Sequence, residues 1–242
     1  MRGTPGVLAL VGGDEFHPGN EEQDRILARR ARQGPAFVIP TAAARQGPER
    51  AVGTATKWFR QFDIELIELP ILKRRDAMSP LLAEQARTGG FFYMVGGDPG
   101  LVANVLRGSS AWHSVFAAWQ GGASLAGSSA GAMALCSHTL VRATWPNRFH
   151  RRPADALDVV PKTAVLPHFD TFGERWIESA QEAAPRLTLL GIDERSAAIW
   201  DAGKWRAAGP GAVTVIKGKR TSRFLSGDEV KGLNAPVSLL QT

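Results

Sequence analysis

The chain has 242 residues, 44% hydrophobic and 21% charged, with a formal net charge of +6; that length suits one α/β domain with a continuous core over 1–242, and no stretch reaches the roughly 18 unbroken apolar residues of a membrane span. The single cysteine, Cys136, excludes an internal disulfide and zinc sites built from several thiolates, which fits a reducing, cytoplasmic compartment. Basic residues are scattered along the chain rather than packed into a tail, so a solvated surface is favoured over nucleic-acid binding.

The opening segment carries one arginine and then an apolar run soon ended by Gly12-Gly13, which reads as a first strand over 7–11 and not as a signal sequence. Amphipathic stretches at 21–33, 52–62 and 81–87 alternate with short β-rich runs at 36–39, 64–69 and 91–95. Such alternation predicts parallel strands joined by crossover helices. The run at 91–95 leads into Gly96-Gly97-Asp98-Pro99-Gly100 and a helical stretch at 101–107. Asp98 suits the N-cap and Pro99 the first helical position. The glycine pair lets backbone approach a ligand closely, which makes the Gly97 amide a candidate oxyanion donor opposite the Ala130 amide.

A strand at 124–126 is followed by Gly127-Ser128-Ser129-Ala130-Gly131 and helical residues to 136. This fits G-x-S-x-G in the strand–turn–helix setting of a nucleophile elbow, where small neighbours allow a sharp turn that exposes the Ser129 hydroxyl. The competing reading is a βα turn that only caps the helix or binds phosphate. Ser128 is the competing hydroxyl.

A serine nucleophile requires a base and usually a group to orient it. Of the five histidines, His17 and His113 fall in a polar loop and a connecting helix, His138 begins the strand after the elbow helix, and His150 sits among arginines. His168 ends the apolar run at 163–166 and is expected at the same edge of a parallel sheet as the elbow. Glu194, after the run at 187–192, is the candidate acid, with Asp193 as its adjacent rival. The order serine, histidine, acid argues against an ordinary α/β-hydrolase, in which the histidine comes last. The remaining runs at 140–144, 197–200, 205–208, 212–216 and 223–225, with glycine-bearing turns, predict a C-terminal antiparallel β meander, and 172–184 a last helix. The aromatic and basic stretch 145–152 reads as a loop able to cover a pocket.

Together these segments resemble the cyanophycinase and peptidase E (aspartyl dipeptidase) serine peptidases, whose fold is like that of class I glutamine amidotransferases. The resemblance rests on Leu10-Val11-Gly12-Gly13, Ile39-Pro40-Thr41-Ala42, Gly96-Gly97-Asp98, Ser128-Ser129-Ala130-Gly131-Ala132, Pro167-His168-Phe169 and Gly191-Ile192-Asp193-Glu194, in the family's order across nearly the whole chain. It implies a three-layer α/β sandwich with a mostly parallel, flavodoxin-like central sheet. It also implies catalytic Ser129, His168 and Glu194, oxyanion donors at Gly97 and Ala130, no metal or cofactor, and a homodimer. The implied substrates are small peptides with an aspartyl residue at the cleaved bond, α-linked or β-linked as in the β-aspartyl-arginine unit of cyanophycin. Arg175 is the first candidate to hold such a carboxylate, with Arg148 and Arg195 as alternatives. Asp98, where the family usually has asparagine, is a further candidate beside the substrate; facing the pocket, it would repel an acidic group. The rival functional reading is a non-catalytic peptide- or small-molecule-binding protein on the same fold.

Overall fold

In the computed structural model, which describes residues 4–143 and 149–239, the apolar run of β1 (Leu8–Val11) is buried on both faces. Leu8 and Leu10 point into one core, Ala9 and Val11 into another. Residues alternate in the same way on β2 (Ala36–Ile39) and β4 (Phe91–Met94), where Phe37, Ile39, Phe92 and Met94 face the first core and Val38, Phe91 and Tyr93 the second. A strand covered by helices on both sides needs an unbroken apolar sequence, and these runs supply it. With β3 (Leu66–Glu68) and β5 (Ser124–Ser128) they form parallel pairs in the order β1-β5-β4-β2-β3.

Helices α1 (Glu21–Arg30) and α2 (Pro48–Phe59) cover one face through Leu27, Ala55 and Phe59. The short α3 (Arg74–Ala77), then α4 (Pro80–Thr88), α5 (Pro99–Leu106), α6 (Ser110–Gln120) and α7 (Ala130–Leu135) cover the other, burying Ala77, Ala86, Val102, Trp112 and Met133. This is the expected three-layer α/β sandwich. Asp98 and Pro99 start α5 as their types dictate, the Asp98 Oδ1 accepting the Leu101 amide at 3.1 Å.

Past α7 the structure departs from the expected arrangement in three places. First, β6 (His138–Arg142) pairs with β7 (Arg151–Asp155), so residues 151 and 152 of the expected loop belong to a strand. Pro153 and the run of charges disguise it, yet proline is tolerated in a two-stranded edge ribbon. Residues 144–148 lie outside the described residues, and the Arg148 assignment with them. Second, the helix expected at 172–184 is a 3-10 turn, Gly173–Trp176, followed by α8 (Ile177–Ala183).

Third, β8 (Thr163–Leu166) lies parallel to β9 (Thr188–Ile192) in a separate sheet, of order β13-β12-β9-β8. The late strands are the expected antiparallel hairpins, but they are divided. β10 (Ala197–Asp201) and β11 (Lys204–Ala208) extend the large sheet beyond β1, while β12 (Ala212–Lys217) and β13 (Arg220–Leu225) extend the small one. His168 therefore leaves a different sheet from the elbow, not the same edge. An apolar run satisfies its burial equally well in either sheet, so periodicity does not report which it joins. The sheets meet at the end of β1, where the His168 amide donates to the Gly12 carbonyl at 2.8 Å and the Gly12 amide to the Ser196 carbonyl at 2.9 Å.

Candidate active site

Ser129 stands between β5 and α7 with φ 48° and ψ −108°. A non-glycine residue there costs about 1–3 kcal/mol and persists only where its surroundings enforce it. Both flanking glycines do so: a Cβ on Gly127 would lie 2.5 Å from the Gly131 carbonyl carbon, and one on Gly131 would lie 2.5 Å from the Met94 oxygen. The Ser129 amide is held by the Val11 carbonyl at 2.9 Å. Its side chain is half-buried, whereas Ser128 is buried and donates to Glu15 at 2.8 Å. Of the two hydroxyls, Ser129 is the accessible one.

His168 also has a positive φ, 48°, which turns its ring back over the end of β1. A Cβ on Gly13 would sit 2.3 Å from the ring's Cε1, so only glycine leaves room for it. The ring's outer face stacks on Phe172, with centroids 4.9 Å apart. In this pose Nε2 is 3.1 Å from the Ser129 Oγ and Nδ1 is 2.7 Å from the Glu194 Oε1. Glu194 is steadied by a 3.0 Å bond from its amide to Asp170 and a 3.4 Å contact from the Thr171 hydroxyl. Asp193 faces away: its Oδ2 accepts the Ala212 amide at 2.9 Å and lies 3.4 Å from Arg223, and burial pushes its carboxyl above the usual range. The two neighbouring acids thus divide between the histidine and the support of β12.

Gly97 has φ 140°, and a Cβ on it would meet the Ala42 oxygen at 2.2 Å. Among the described residues neither its amide nor that of Ala130 donates to a backbone acceptor. The Asp98 carboxylate is occupied by the α5 amide. Arg195 is engaged by Asp14 at 2.6 Å. Arg175 is exposed, and its guanidinium lies over the Phe149 ring at 5.2 Å.

Arg175 also lines a cavity of about 390 Å³ with Arg142, Phe149, Arg151, Phe172 and Trp176, which reaches the back of the His168 ring through Phe172. Arg142 and Arg151 face each other across β6 and β7, and Arg151 lies 4.1 Å over Trp176. Burial and the neighbouring Arg142 lower the Arg151 pKa. Sequence reasoning missed Arg142 and Arg151 because the pairing of β6 with β7 was not legible. It missed Glu15 too, whose Oε1 accepts the Gly96 amide at 2.8 Å. Its one local signal was its place just after the Gly12-Gly13 turn. Among the described residues no group of three or more His, Cys, Asp or Glu is gathered to hold a metal ion, and no helix is long and apolar enough to cross a membrane.

The model of peptidase family S51 matches residues 8–206. The chain is similar to cyanophycinases of Synechococcus elongatus and Thermosynechococcus vestitus, each 27% identical over 88% of this chain and 69% of the relative. Its fold superposes on a peptidase from an acI-B1 actinobacterium with a TM-score of 0.82 at 28% identity, covering 93% of this chain and 96% of that one. A protein of Listeria monocytogenes EGD-e carrying the name peptidase E, 16% identical, shares the fold with a TM-score of 0.56 over 91% of this chain and 98% of its own.

Proposed function

The chain belongs to peptidase family S51, and from that premise we propose that it is a serine peptidase hydrolysing a peptide or isopeptide bond in small aspartyl-containing peptides. Membership points to peptidase activity on small peptides. The relay from Ser129 through His168 to Glu194, at 3.1 and 2.7 Å, carries the finer reading. His168 Nε2 takes the Ser129 proton as Oγ attacks the substrate carbonyl, and Glu194 holds the ring and balances the imidazolium charge. The amides of Gly97 and Ala130 receive the oxyanion. Collapse of the tetrahedral adduct breaks the C–N bond, and His168 returns the proton to the leaving amine. Water, deprotonated by the same imidazole, then releases the acyl group from Ser129.

The cavity beside His168 supports an acidic substrate. A carboxylate placed in this cavity beside Arg151 and Arg175 gains charge-assisted bonds. Asp98 caps α5 through the Leu101 amide and is not among the residues lining this cavity. The relatives named cyanophycinase fit the same chemistry.

Labelling with a fluorophosphonate tests the nucleophile: wild type reacts and Ser129→Ala does not, while labelling retained in the variant removes the assignment. Hydrolysis of Asp-X and β-Asp-X dipeptides, set against unrelated dipeptides, tests the substrate class. Arg175→Ala is expected to raise KM on the preferred peptide by about tenfold with kcat little changed, as loss of ground-state binding dictates.

A further inference from the structure

We infer that Glu15 is a positioning residue of this site, which fixes the spacing between the nucleophile and its oxyanion donors. The inference rests on the serine-peptidase reading above. Glu15 lies between β1 and α1, yet its two carboxylate oxygens are taken by donors from two other segments. Oε1 accepts the amide of Gly96, the residue before the Gly97 donor, and Oε2 accepts the hydroxyl of Ser128, the residue before Ser129, each at 2.8 Å. One side chain therefore ties the loop after β4 to the end of β5. Both bonds involve a carboxylate, the stronger class of hydrogen bond.

The surroundings are built for this reach. Asp14 and Phe16, on either side of Glu15, have φ of 52° and 64°, a costly conformation for residues other than glycine. Asp14 is pinned by Arg195 at 2.6 Å and His17 at 3.1 Å, and Phe16 packs on Tyr93 with centroids 5.0 Å apart. A Cβ on Gly96 would come within 2.9 Å of Oε1 and 3.4 Å of the Ser129 Cβ, so a side chain there would crowd the carboxylate. The Gly96 amide is consumed by Glu15 while the Gly97 amide donates to no backbone acceptor among the described residues, so the bond selects which of two adjacent amides serves the oxyanion. It also engages the Ser128 hydroxyl, leaving Ser129 as the reactive one.

Length, rather than charge, is what such a clamp needs. Glutamine keeps the reach: its oxygen can accept from Gly96 and its amide can donate to the Ser128 Oγ. Aspartate keeps the charge but is one methylene short of both donors. Saturation kinetics of fluorophosphonate labelling separate the two, giving an inactivation rate and an apparent binding constant for wild type, Glu15→Gln, Glu15→Asp, Glu15→Ala and Ser128→Ala. We expect Glu15→Ala to lower the inactivation rate about 10² to 10³-fold, comparable with loss of an oxyanion donor. The binding constant should hold, Glu15→Gln should stay within about tenfold of wild type, and Glu15→Asp should fall well below Gln. Ser128→Ala, which removes one arm, should cost less than Glu15→Ala and add nothing to it in the double variant.

Wild-type rates in Glu15→Asp or Glu15→Ala overturn the inference while the serine reading stands on Ser129→Ala. An order of Asp above Gln also overturns it, since charge would then be what matters. Wild type that never labels overturns both. If Glu15→Ala does not fold, by its thermal melt, the Gln and Asp pair decides.

Discussion

At the scale of single residues, the site turns on which of two neighbours faces the chemistry, a choice made twice. Ser128 and Ser129 are chemically identical, and so nearly are Asp193 and Glu194. For the serines the motif favours Ser129, because G-x-S-x-G indicates which position sits at the sharp turn. For the acids nothing local decides, because each follows the same strand and the choice depends on β12 docking beside β9. The docked strand takes Asp193 through the Ala212 amide, and the histidine takes Glu194. The two should therefore separate in experiment. Glu194→Gln is expected to lower fluorophosphonate labelling by 10² or more, since it disturbs ring orientation and charge balance, with little change in melting temperature. Asp193→Ala should leave labelling near wild type and destabilise the fold by about 1–3 kcal/mol, as an orphaned buried amide does. Thermal melts and labelling rates measured on both variants check this, and a reversed pattern would exchange the two roles.

At the scale of elements, glycines in the loops decide whether the strand ends can meet. Gly13 lies directly beneath the His168 ring, with φ 127° and Cβ clearance of 2.3 Å. Gly13→Ala is thus expected to push the imidazole off Ser129 and lower labelling at least 10²-fold. Misplacement of reacting groups by an ångström has that scale of effect. Gly108→Ala is the control: its φ is 63°, but nothing lies within 4 Å of its added Cβ. It should carry backbone strain of about 1–2 kcal/mol and leave labelling alone. Equal losses of labelling in both variants would show that general destabilisation, not ring displacement, is at work. Elements whose apolar pattern matched their burial were legible in sequence, as with β1, β2, β4 and β8. The β7 strand was not, because Arg151, Arg152 and Pro153 pair only with β6 and carry no apolar run. The arginine pair lining the cavity went unread for that reason.

At the scale of the whole molecule, the alternation of strands and helices made the three layers legible, while the division of the late strands between two sheets was hidden. Pairing partners are chosen by long-range packing, which leaves no local trace in an apolar run. Burial by those layers also has a titration consequence. Asp24, on α1, is fully buried between that helix and the large sheet; one oxygen accepts the Trp58 indole N–H at 2.7 Å, and the other has no partner among the described residues. Burial, partly opposed by the Trp58 bond and reinforced by Glu15 and Glu21, raises its carboxyl from 3.8 to about 8. Between these values the unfolded chain has lost a proton that the folded protein keeps. Stability therefore falls as pH rises through that window and levels off above it. At about 1.4 kcal/mol per pH unit the full change is of the order of several kcal/mol. Asp24→Asn cannot titrate and still offers an oxygen to Trp58, so its melting temperature, whatever its starting level, should lose this dependence. Melting curves of wild type and Asp24→Asn from pH 4 to pH 9 check the slope. At about 2–4 °C per kcal/mol for a chain of this size, the gap between them should shift measurably in the variant's favour, and a constant gap would mean that Asp24 keeps its ordinary acidity in the folded protein.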